Sequence, residues 1–387
     1  MKKRNIIIIV ISIVVIFLLG LFIFLDSNKL KFLGYKDKEI EYIKSELDKN
    51  EIDKLIEIPY DENIINILKT KNYKIENMND YLYNINTYDI DVETAIYCVH
   101  NNIDYSLIND LAKLDGYNKE KLMDYYNLKK ENNINDEAIV YIINNNIEYN
   151  DEVINYMEEK YFVLNNLERY LNYNKGNLSY SNVVKLVNSN RDKTFYTDSV
   201  KTDMSKGYLI IVNKYYSLDK NYVPSNLVSL SSTYTDNWCK LEGTTYNQFK
   251  KLVDDAKKEG LNIKCRSGYR SYNDQSYIYN SYIRDYGLTW ANNYSAKPGH
   301  SEHQTGLAID VTASGNNYGV FVNSKEYTWM VNNAHKYGFI LRYLSGEENI
   351  TGYNYESWHY RYVGVDVATK IHNEKITYEE YYEYYVK

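Results

Sequence analysis

The distribution of apolar and polar residues divides the chain into three stretches. An uncharged apolar run extends over residues 6–25, and from about residue 35 to 190 apolar residues recur at helical spacing. Beyond residue 190 the pattern changes to short alternating segments separated by turn residues. The sequence therefore predicts one helix of membrane-spanning length, then an all-α region, then a mixed region of helices and strands.

The apolar run at 6–25 has the length of a transmembrane helix. Its twenty residues, at about 1.5 Å each, span a hydrocarbon core of about 30 Å. Three basic residues precede the run and Asp26 follows it, which predicts a cytoplasmic tail at 1–5 and an extracytoplasmic location for the rest. A cleaved signal peptide is the alternative, but its apolar stretch is shorter, about 7–15 residues. Such a peptide also ends at a small-residue cleavage site, which FLDSNKLKF lacks, so we predict an uncleaved anchor.

The helical region at 35–190 contains an internal repeat. DVETAIYCVHNNIDY at 91–105 aligns with NDEAIVYIINNNIEY at 135–149, a spacing of 44 residues, and a fainter copy starts near Ile52. Corresponding tyrosines of the three copies are Tyr73, Tyr117 and Tyr161. A period of this size predicts stacked helical hairpins, which cannot bury their apolar faces singly. This stalk serves either as a plain solvated support or as a spacer and binding surface.

The C-terminal region at 191–387 is predicted to be an α+β domain with a small antiparallel sheet flanked by helices. TYNQFKKLVDDAKKEG is typical of an amphipathic helix that ends at Gly260 and has one apolar face, formed by Phe249, Leu252, Val253 and Ala256. Strands are predicted for GYLIIVNKYY, LNIKCRSGYRS, GLAIDV and ESWHYRYV. In GLAIDV the period of two directs Asp310 to one face and its apolar neighbours to the other.

Composition narrows the functional classes. The chain has 387 residues and a formal net charge of −7, without a long basic run beyond the N-terminus, which argues against nucleic acid as a partner. Three cysteines, an odd number, include no CxxC pair. We expect Cys98, Cys239 and Cys265 to be buried free thiols, with a Cys239–Cys265 disulfide bond as the alternative.

Candidate chemistry is concentrated in two segments of the C-terminal region. PGHSEHQTGLAIDV at 298–311 contains two histidines three residues apart, a glutamate between them, and Asp310 on the predicted strand. YESWHYRYV adds Glu356 and His359, and turn-like residues before the strand allow both side chains to face one cavity. Two histidines and one carboxylate leave a zinc ion with an open fourth position, and a second carboxylate can then act as general base. Residue types alone leave both histidines of the first segment, His300 and His303, as candidate ligands.

These segments carry the motifs S-x-H-x-x-G-x-A-x-D and E-x-W-H. Together they resemble the zinc D,D-/L,D-carboxypeptidases of the VanY type, part of a wider group that includes D-alanyl-D-alanine dipeptidases and the hedgehog signalling domain. The resemblance extends to VNKYYSLDKNYVPSNLV, SGYRSYNDQ and the terminal ITYEEYY, and covers about the last 180 residues. It implies a zinc peptidase domain with one zinc ion per chain, on the surface of a Gram-positive, low-GC bacterium.

The resemblance also implies a role for individual residues. His303, Asp310 and His359 match the zinc ligands, and Glu356 matches the catalytic base. Arg270 matches the arginine that holds the substrate carboxylate or the developing oxyanion. Substrate-binding positions are matched by Ser301, Gln275 and Tyr269.

The remaining candidates receive lesser roles. His300 is predicted to lie at the rim or behind the ligands, and Glu302 to take no part. Trp358 is predicted to pack beneath the site. The other histidines are expected to be surface or core residues, namely His100, His335 and His372.

The predicted function is removal of the C-terminal D-alanine from peptidoglycan stem peptides by a membrane-anchored zinc carboxypeptidase. L,D-carboxypeptidase and endopeptidase activities on peptidoglycan stay open as alternatives within the enzyme class. A non-catalytic zinc-containing wall-binding module is the alternative outside it, and Glu356 discriminates, since a structural zinc site needs no general base.

Overall fold

The computed structural model describes residues 25–173, 176–313 and 318–387, and the chain divides into two compact units between Glu148 and Tyr149. The predicted anchor at 6–25 and the tail before it lie outside the described residues, except for residue 25. Within the described ranges, no helix combines the length and the hydropathy needed to cross a membrane. The predicted domain boundaries stay predictions.

In the described part of the first unit, all regular secondary structure is helical. Residues 25–33 are helical, and the following α-helices are α1 (Asp37–Glu46), α2 (Lys49–Ile56), α3 (Asn63–Leu68), α4 (Met78–Tyr88), α5 (Val92–His100), α6 (Leu122–Glu131) and α7 (Asp136–Asn144). Short 3₁₀ turns occur at Ile75–Asn77, Tyr105–Leu107, Leu111–Lys113 and Lys119–Lys121. Asp91 and Asn135 cap the N-termini of α5 and α7 in the same way. The side chain of each accepts a hydrogen bond from the backbone N–H three residues further along the chain.

The 44-residue repeat is a repeat of structure as well as of sequence. After α5 and α7 the chain turns through Asn102 and Asn146, with φ of +53° and +52°, a left-handed conformation that asparagine tolerates better than most residues. Tyr125 Oη donates to Asn144 Oδ1 at 2.7 Å, and Tyr81 Oη lies at the same distance from the aligned His100 Nε2. His100 is thus used in a hydrogen bond within its own repeat.

The same pattern recurs in the second unit, 44 residues beyond the last copy found in the sequence alignment. The helix Tyr180–Asn188 is followed by Asn190 with φ of +60°, and Asn188 Oδ1 accepts a hydrogen bond from Tyr170 Oη at 2.5 Å. Since 188 and 190 are 44 residues beyond 144 and 146, this helix is a further copy of the repeat.

The second unit combines helices with short strands. Its α-helices are α8 (Asp151–Met157), α9 (Leu167–Asn172), α10 (Tyr180–Asn188), α11 (Gly243–Lys258), α12 (Tyr272–Tyr286), α13 (Leu288–Tyr294), α14 (Tyr318–Phe321), α15 (Lys325–Asn333), α16 (Glu348–Thr351), α17 (Val365–Glu374) and α18 (Tyr378–Tyr385). The strands are β1 (Val200–Lys201), β2 (Tyr216–Ser217), β3 (Leu227–Ser229), β4 (Lys240–Glu242), β5 (Ile263–Ser267), β6 (Ala308–Ala313), β7 (Phe339–Leu341) and β8 (His359–Tyr362). Short 3₁₀ turns occur at Leu164–Asn166, Met204–Leu209, Glu302–Thr305 and Ala334–Tyr337.

The main sheet has the strand order β5-β6-β8-β7, and every neighbouring pair is antiparallel, which confirms the predicted small antiparallel sheet. The apolar face of β6 packs into the same core as the buried face of α11, formed by Phe249, Leu252, Val253 and Ala256 as predicted. Asp310 points to the other face of β6, directly opposite His359 of β8 in the strand register. Two chemical groups distant in sequence are thereby placed side by side.

Two expectations are wrong. GYLIIVNKYY forms the end of the 3₁₀ turn Met204–Leu209, an irregular buried stretch at 210–215 and only the first residue of the short strand β2. Tyr208 O and Ile210 O accept hydrogen bonds from the Arg361 guanidinium instead of from a neighbouring strand. Cys239 and Cys265 are joined in a disulfide bond and are not free thiols, whereas Cys98 is free and buried as expected.

Candidate metal centre and active site

Three side chains from two neighbouring strands and one turn converge beside the main sheet. Asp310 lies on β6, His359 begins β8, and His303 lies in the 3₁₀ turn Glu302–Thr305. His303 Nε2 is 3.4 Å from Asp310 Oδ1, and His359 Nδ1 is 3.3 Å from the same oxygen. All three residues are buried, and within the described residues they form the candidate metal-binding cluster.

The local fold fixes which nitrogen of His303 faces this cluster. The turn that carries the residue ends at Gly306, whose φ of +68° is left-handed and whose Cβ position would lie 3.0 Å from Glu242 N. On the other side, His303 Nδ1 lies 2.7 Å from Gly268 O, and since a carbonyl can only accept, Nδ1 carries the proton. Nε2 is therefore left as a lone-pair donor toward Asp310.

The donor set fits a zinc ion. Bonds of about 2.1 Å at a tetrahedral angle place neighbouring ligand atoms roughly 3.4 Å apart, which matches the two separations measured from Asp310 Oδ1. That oxygen is buried and has no hydrogen-bond partner among the described residues, a costly arrangement unless a cation satisfies it. Two imidazoles and one carboxylate are also the ligand types that zinc accepts in catalytic sites.

Mutual charge interactions shift the pKa values of these groups. Burial raises the pKa of Asp310, but His303 and His359 outweigh this effect and hold it well below its usual range. Burial lowers the pKa of His303, so its imidazole is neutral at pH 7, as a ligand must be. Burial also lowers the pKa of His359, but the adjacent carboxylates of Asp310, Glu302 and Glu356 raise it well above its ordinary value. The protein without a cation thus favours a proton on His359, for which a metal would have to compete.

Glu302, predicted to take no part, is the residue that sequence reasoning missed. Its side chain is fully buried, and Oε1 accepts hydrogen bonds from Arg342 Nε at 2.9 Å and Arg361 Nη1 at 3.0 Å. Oε2 has no hydrogen-bond partner among the described residues and lies 3.4 Å from His359 Nε2. Burial raises the pKa of Glu302, but Arg342 and Arg361 more than offset this and keep the carboxyl ionised.

This carboxylate determines how His359 is presented. An ionised Glu302 beside Nε2 favours the tautomer with a proton on Nε2, which leaves the Nδ1 lone pair facing Asp310. Arg342 is in turn paired through two hydrogen bonds, at 2.7 and 2.6 Å, with the Glu379 carboxylate of α18. A buried cluster of two arginines and two glutamates therefore stands directly behind the second histidine.

The predicted base and arginine lie at the same cleft. Glu356 precedes β8, as predicted, and its Oε2 is 3.4 Å from His359 Nδ1. Arg270 Nη2 lies 3.9 Å from Asp310 Oδ2, and its guanidinium donates to Gln275 Oε1 at 2.8 Å and to Ser267 Oγ at 3.0 Å. A carboxylate and a guanidinium thus both lie at the edge of the three donors.

The cleft has a volume of about 250 Å³ and includes Ser301 and Gln275 among its lining residues. Gln275 is buried and also donates to Ala296 O, so it holds Arg270 in place as well as lining the cleft. Tyr269, the third predicted substrate-binding residue, is not among the lining residues, and its backbone N–H donates to Lys240 O.

The other candidate residues are not among the three donors. His300 Nδ1 donates to Asn213 O at 2.7 Å, and its ring packs edge-on against Tyr196, so it stands behind the site. Trp358 lines the cleft and packs against the core, in agreement with its predicted place. His335 and His372 stack on each other, with ring centroids 3.9 Å apart, beside a separate apolar pocket.

Comparison with known proteins places this site in a family. The family model described as VanY, D-alanyl-D-alanine carboxypeptidase, matches residues 239–365. The chain is 40% identical over 184 residues to the putative carboxypeptidase YodJ of Bacillus subtilis (strain 168), covering 45% of this chain and 67% of the relative. It is 34% identical over 183 residues to the bifunctional D-Ala-D-Ala dipeptidase and carboxypeptidase VanXYC of Enterococcus gallinarum, covering 46% of this chain and 94% of the relative.

Solved structures with sequence similarity include an LD-carboxypeptidase and a D,D-pentapeptidase. The LdcB LD-carboxypeptidase is 37% identical, with a TM-score of 0.46 and coverage of 48% of this chain and 90% of that one. A mutant of the D,D-pentapeptidase VanY from a VanB-type resistance cassette, in complex with Zn(II), is 33% identical, with a TM-score of 0.40 and coverage of 45% and 98%.

The matched region contains the complete donor set, the carboxylate at its edge and all four strands of the main sheet that positions them. Nearly the whole length of VanXYC is covered at 34% identity. The chain therefore belongs to the VanY family of D-alanyl-D-alanine carboxypeptidases.

Proposed function

We propose that the protein is a zinc-dependent carboxypeptidase that removes the C-terminal D-alanine from peptidoglycan stem peptides, with one zinc ion held by His303, Asp310 and His359. The observation that carries this proposal is the Glu356 carboxylate at the edge of these three preformed donors. A structural metal site has no use for such a group, whereas hydrolysis requires one. Membership of the VanY family supports the same substrate class.

The residues of the cleft divide the chemistry among them. Bound zinc supplies a Lewis acid and lowers the pKa of water from about 15.7 to about 7. Glu356 accepts the proton of the attacking water and returns it to the amine of the departing D-alanine, a role worth about 10²–10⁴ in rate. The neighbouring Trp358 and Tyr318 pack together at a ring-centroid distance of 5.0 Å and shield this side of the cleft from bulk water.

Arg270 is the group that recognises the anionic part of the substrate. Its guanidinium is fixed by Gln275 and Ser267, so it meets the terminal carboxylate or the developing oxyanion without a search through rotamers. Such a preorganised cation explains why a free C-terminal residue is favoured as the leaving group.

We further propose that the enzyme is attached to the membrane by residues 6–25 and works outside it, where its substrate is located. The apolar run and the basic residues before it support this topology. Accessibility labelling of intact cells at a single introduced cysteine near residue 40, compared with one at residue 3, tests it. Labelling of residue 3 from outside would contradict the topology.

Defined muropeptides test the substrate. Zinc-loaded protein is incubated with stem pentapeptide, stem tetrapeptide and cross-linked dimers, and the products are identified by mass spectrometry. Loss of one alanine from the pentapeptide is expected. Loss from the tetrapeptide alone would assign an L,D-carboxypeptidase, cleavage of dimers an endopeptidase, and the absence of any zinc-dependent product would refute the enzymatic proposal.

Two variants separate catalysis from metal binding. Glu356→Gln should keep its zinc and lose activity by about 10²–10⁴, because it removes the base and leaves the three donors in place. His359→Ala should lose both. Zinc content measured by atomic absorption beside the rate decides between them, and unchanged activity of Glu356→Gln would refute its assignment as base.

A further inference from the structure

Four aromatic side chains form a continuous cluster that begins in the active-site cleft and extends out of it. Tyr282 and Tyr294 line the cleft, and Trp290 packs against both of them and against Tyr286. Ring centroids of Trp290 are 4.4 Å from those of both Tyr286 and Tyr294, with interplanar angles of 33° and 24°. We call Tyr282, Tyr286, Trp290 and Tyr294 the aromatic platform.

The platform is rigid and its outer part is open to solvent. Tyr279 Oη donates to Asn292 Oδ1 at 2.5 Å and Lys214 Nζ donates to Asn292 O at 2.7 Å, which fixes α13 against α12 and the core. Tyr286 is nevertheless 61% exposed, and Tyr294 is also exposed. Large aromatic groups held in place at the edge of a cleft bind a ligand at low entropic cost, since little conformational freedom remains to be lost.

The charge of this surface indicates an uncharged ligand. Arg284 and Asp285, the charged residues next to Tyr286, pair with each other at 2.9 Å and so cancel locally. Rings without a net charge around them suit the apolar C–H face of a sugar, whose hydroxyl and acetamido groups can bond to polar groups at the edge.

The proposed substrate carries such a sugar within reach of the reacting bond. A stem peptide is joined to the glycan at its N-terminal end and is cut at its C-terminal end, and four extended residues reach about 14 Å at most. The sugar therefore lies within that distance of the reacting bond, near the residues that line the cleft. The platform begins among those residues, at Tyr282 and Tyr294, and continues beyond them to Tyr286.

We propose that the aromatic platform binds an N-acetylated amino sugar of the glycan to which the stem peptide is attached. This inference rests on the proposed function, because it assumes that the peptide in the cleft is a stem peptide. It adds a specificity: the enzyme prefers a stem that still carries its disaccharide over the same peptide without sugar.

The experiment compares kcat/KM for one stem peptide with and without its disaccharide, both on zinc-loaded protein. Wild type should prefer the disaccharide form, and Tyr286→Ala should reduce that preference by about 3- to 10-fold, the worth of one aromatic contact. Activity on the sugar-free peptide should not change. Tyr286→Phe should keep the preference, and Tyr277→Ala, a 77% exposed tyrosine of the same helix outside the platform, is the matched control.

Equal kcat/KM for the two substrates in wild type, or an equal loss of preference in Tyr277→Ala, would overturn the inference and leave the proposed function intact. Binding of the disaccharide alone, followed by saturation-transfer NMR, needs no turnover. Binding that weakens in Tyr286→Ala while no peptide is hydrolysed would support the platform and refute the proposed function instead. Binding that is the same in wild type and Tyr286→Ala would overturn the inference whatever the kinetics show.

Discussion

Replacing Glu302 with glutamine tests whether the buried charge cluster positions His359 for the metal. The change keeps the shape of the side chain and removes its negative charge. In the wild type, Glu302 Oε1 accepts hydrogen bonds from Arg342 and Arg361, and Oε2 lies beside His359 Nε2. In Glu302→Gln an amide group that can present N–H₂ to His359 replaces the carboxylate oxygen, so the proton on Nε2 loses its acceptor.

The contacts of Glu302 indicate how much stability and how much zinc affinity the change should cost. Breaking a buried ion pair costs about 3–5 kcal/mol, and we expect about 3 kcal/mol here, because the amide oxygen still accepts and Glu379 still pairs with Arg342. Loss of a partner that orients a metal-binding histidine typically costs about 10–100-fold in metal affinity. We therefore expect Glu302→Gln to be less stable to urea and to bind zinc more weakly by that factor.

A matched variant separates the two effects. Glu379→Gln removes a charge from the same buried cluster, but Glu379 contacts Arg342 and Asn213 and has no contact with His359. It should lower the free energy of unfolding to a similar extent and leave zinc affinity unchanged. Urea denaturation measures the first quantity, and competition with a chelator on the folded protein at pH 7.5 measures the second. Wild-type zinc affinity in Glu302→Gln, or equally weakened affinity in Glu379→Gln, would refute the positioning role.

Three further predictions concern His300 and Arg270. His300→Ala should retain zinc, since His300 stands behind the site, and loss of zinc would show that the choice of His303 was wrong. Burial lowers the pKa of His300, so below about pH 6.5 the unfolded chain binds a proton that the folded chain does not. The stability of the wild type should therefore decrease as the pH is lowered below about 6.5. Urea denaturation at pH 5.5 and 7.5 should show a smaller difference for His300→Gln, and an unchanged difference would contradict this assignment. Arg270→Lys should keep zinc but lose about 10²–10³ in kcat, because a lysine cannot reproduce the fork held by Gln275; near wild-type kcat would rule out its electrostatic role.

Local pattern was sufficient wherever a residue's place depended on its own strand or helix. The period of two in GLAIDV put Asp310 on the face opposite the core, and the turn before ESWH allowed Glu356 to face the same cavity as His359. The 3.6-residue period likewise identified the buried face of α11. These features follow from backbone geometry, which is why alternation in the sequence predicts them.

Long-range pairing was what the sequence did not reveal. Cys265 was predicted to be buried, but its pairing with Cys239 depends on contacts between distant segments, such as the Tyr269 N–H bond to Lys240 O just beyond β5. The backbone at 208–210, where the 3₁₀ turn ends without a strand, depends on Arg361, which lies far downstream in the chain. The apolar residues predicted a strand there, because a short stretch of sequence does not show that the Arg361 guanidinium competes for its backbone carbonyls.

The buried charge cluster also depends on residues distant in sequence, and it gives the last helix, α18, a structural role behind the site. Glu302 follows Ser301 in the turn that carries His303, Arg342 follows β7, Arg361 lies on β8, and Glu379 lies on α18. Each of these charges would be costly if buried alone, so the four can persist only if all their elements are in place. The terminal ITYEEYY segment therefore completes the buried cluster behind His359, although it lies outside the cleft. Removing α18 is a larger change than Glu379→Gln, whose amide oxygen can still accept from Arg342: it would take both Glu379 oxygens away from the buried guanidinium, and the metal site would then be disturbed from behind.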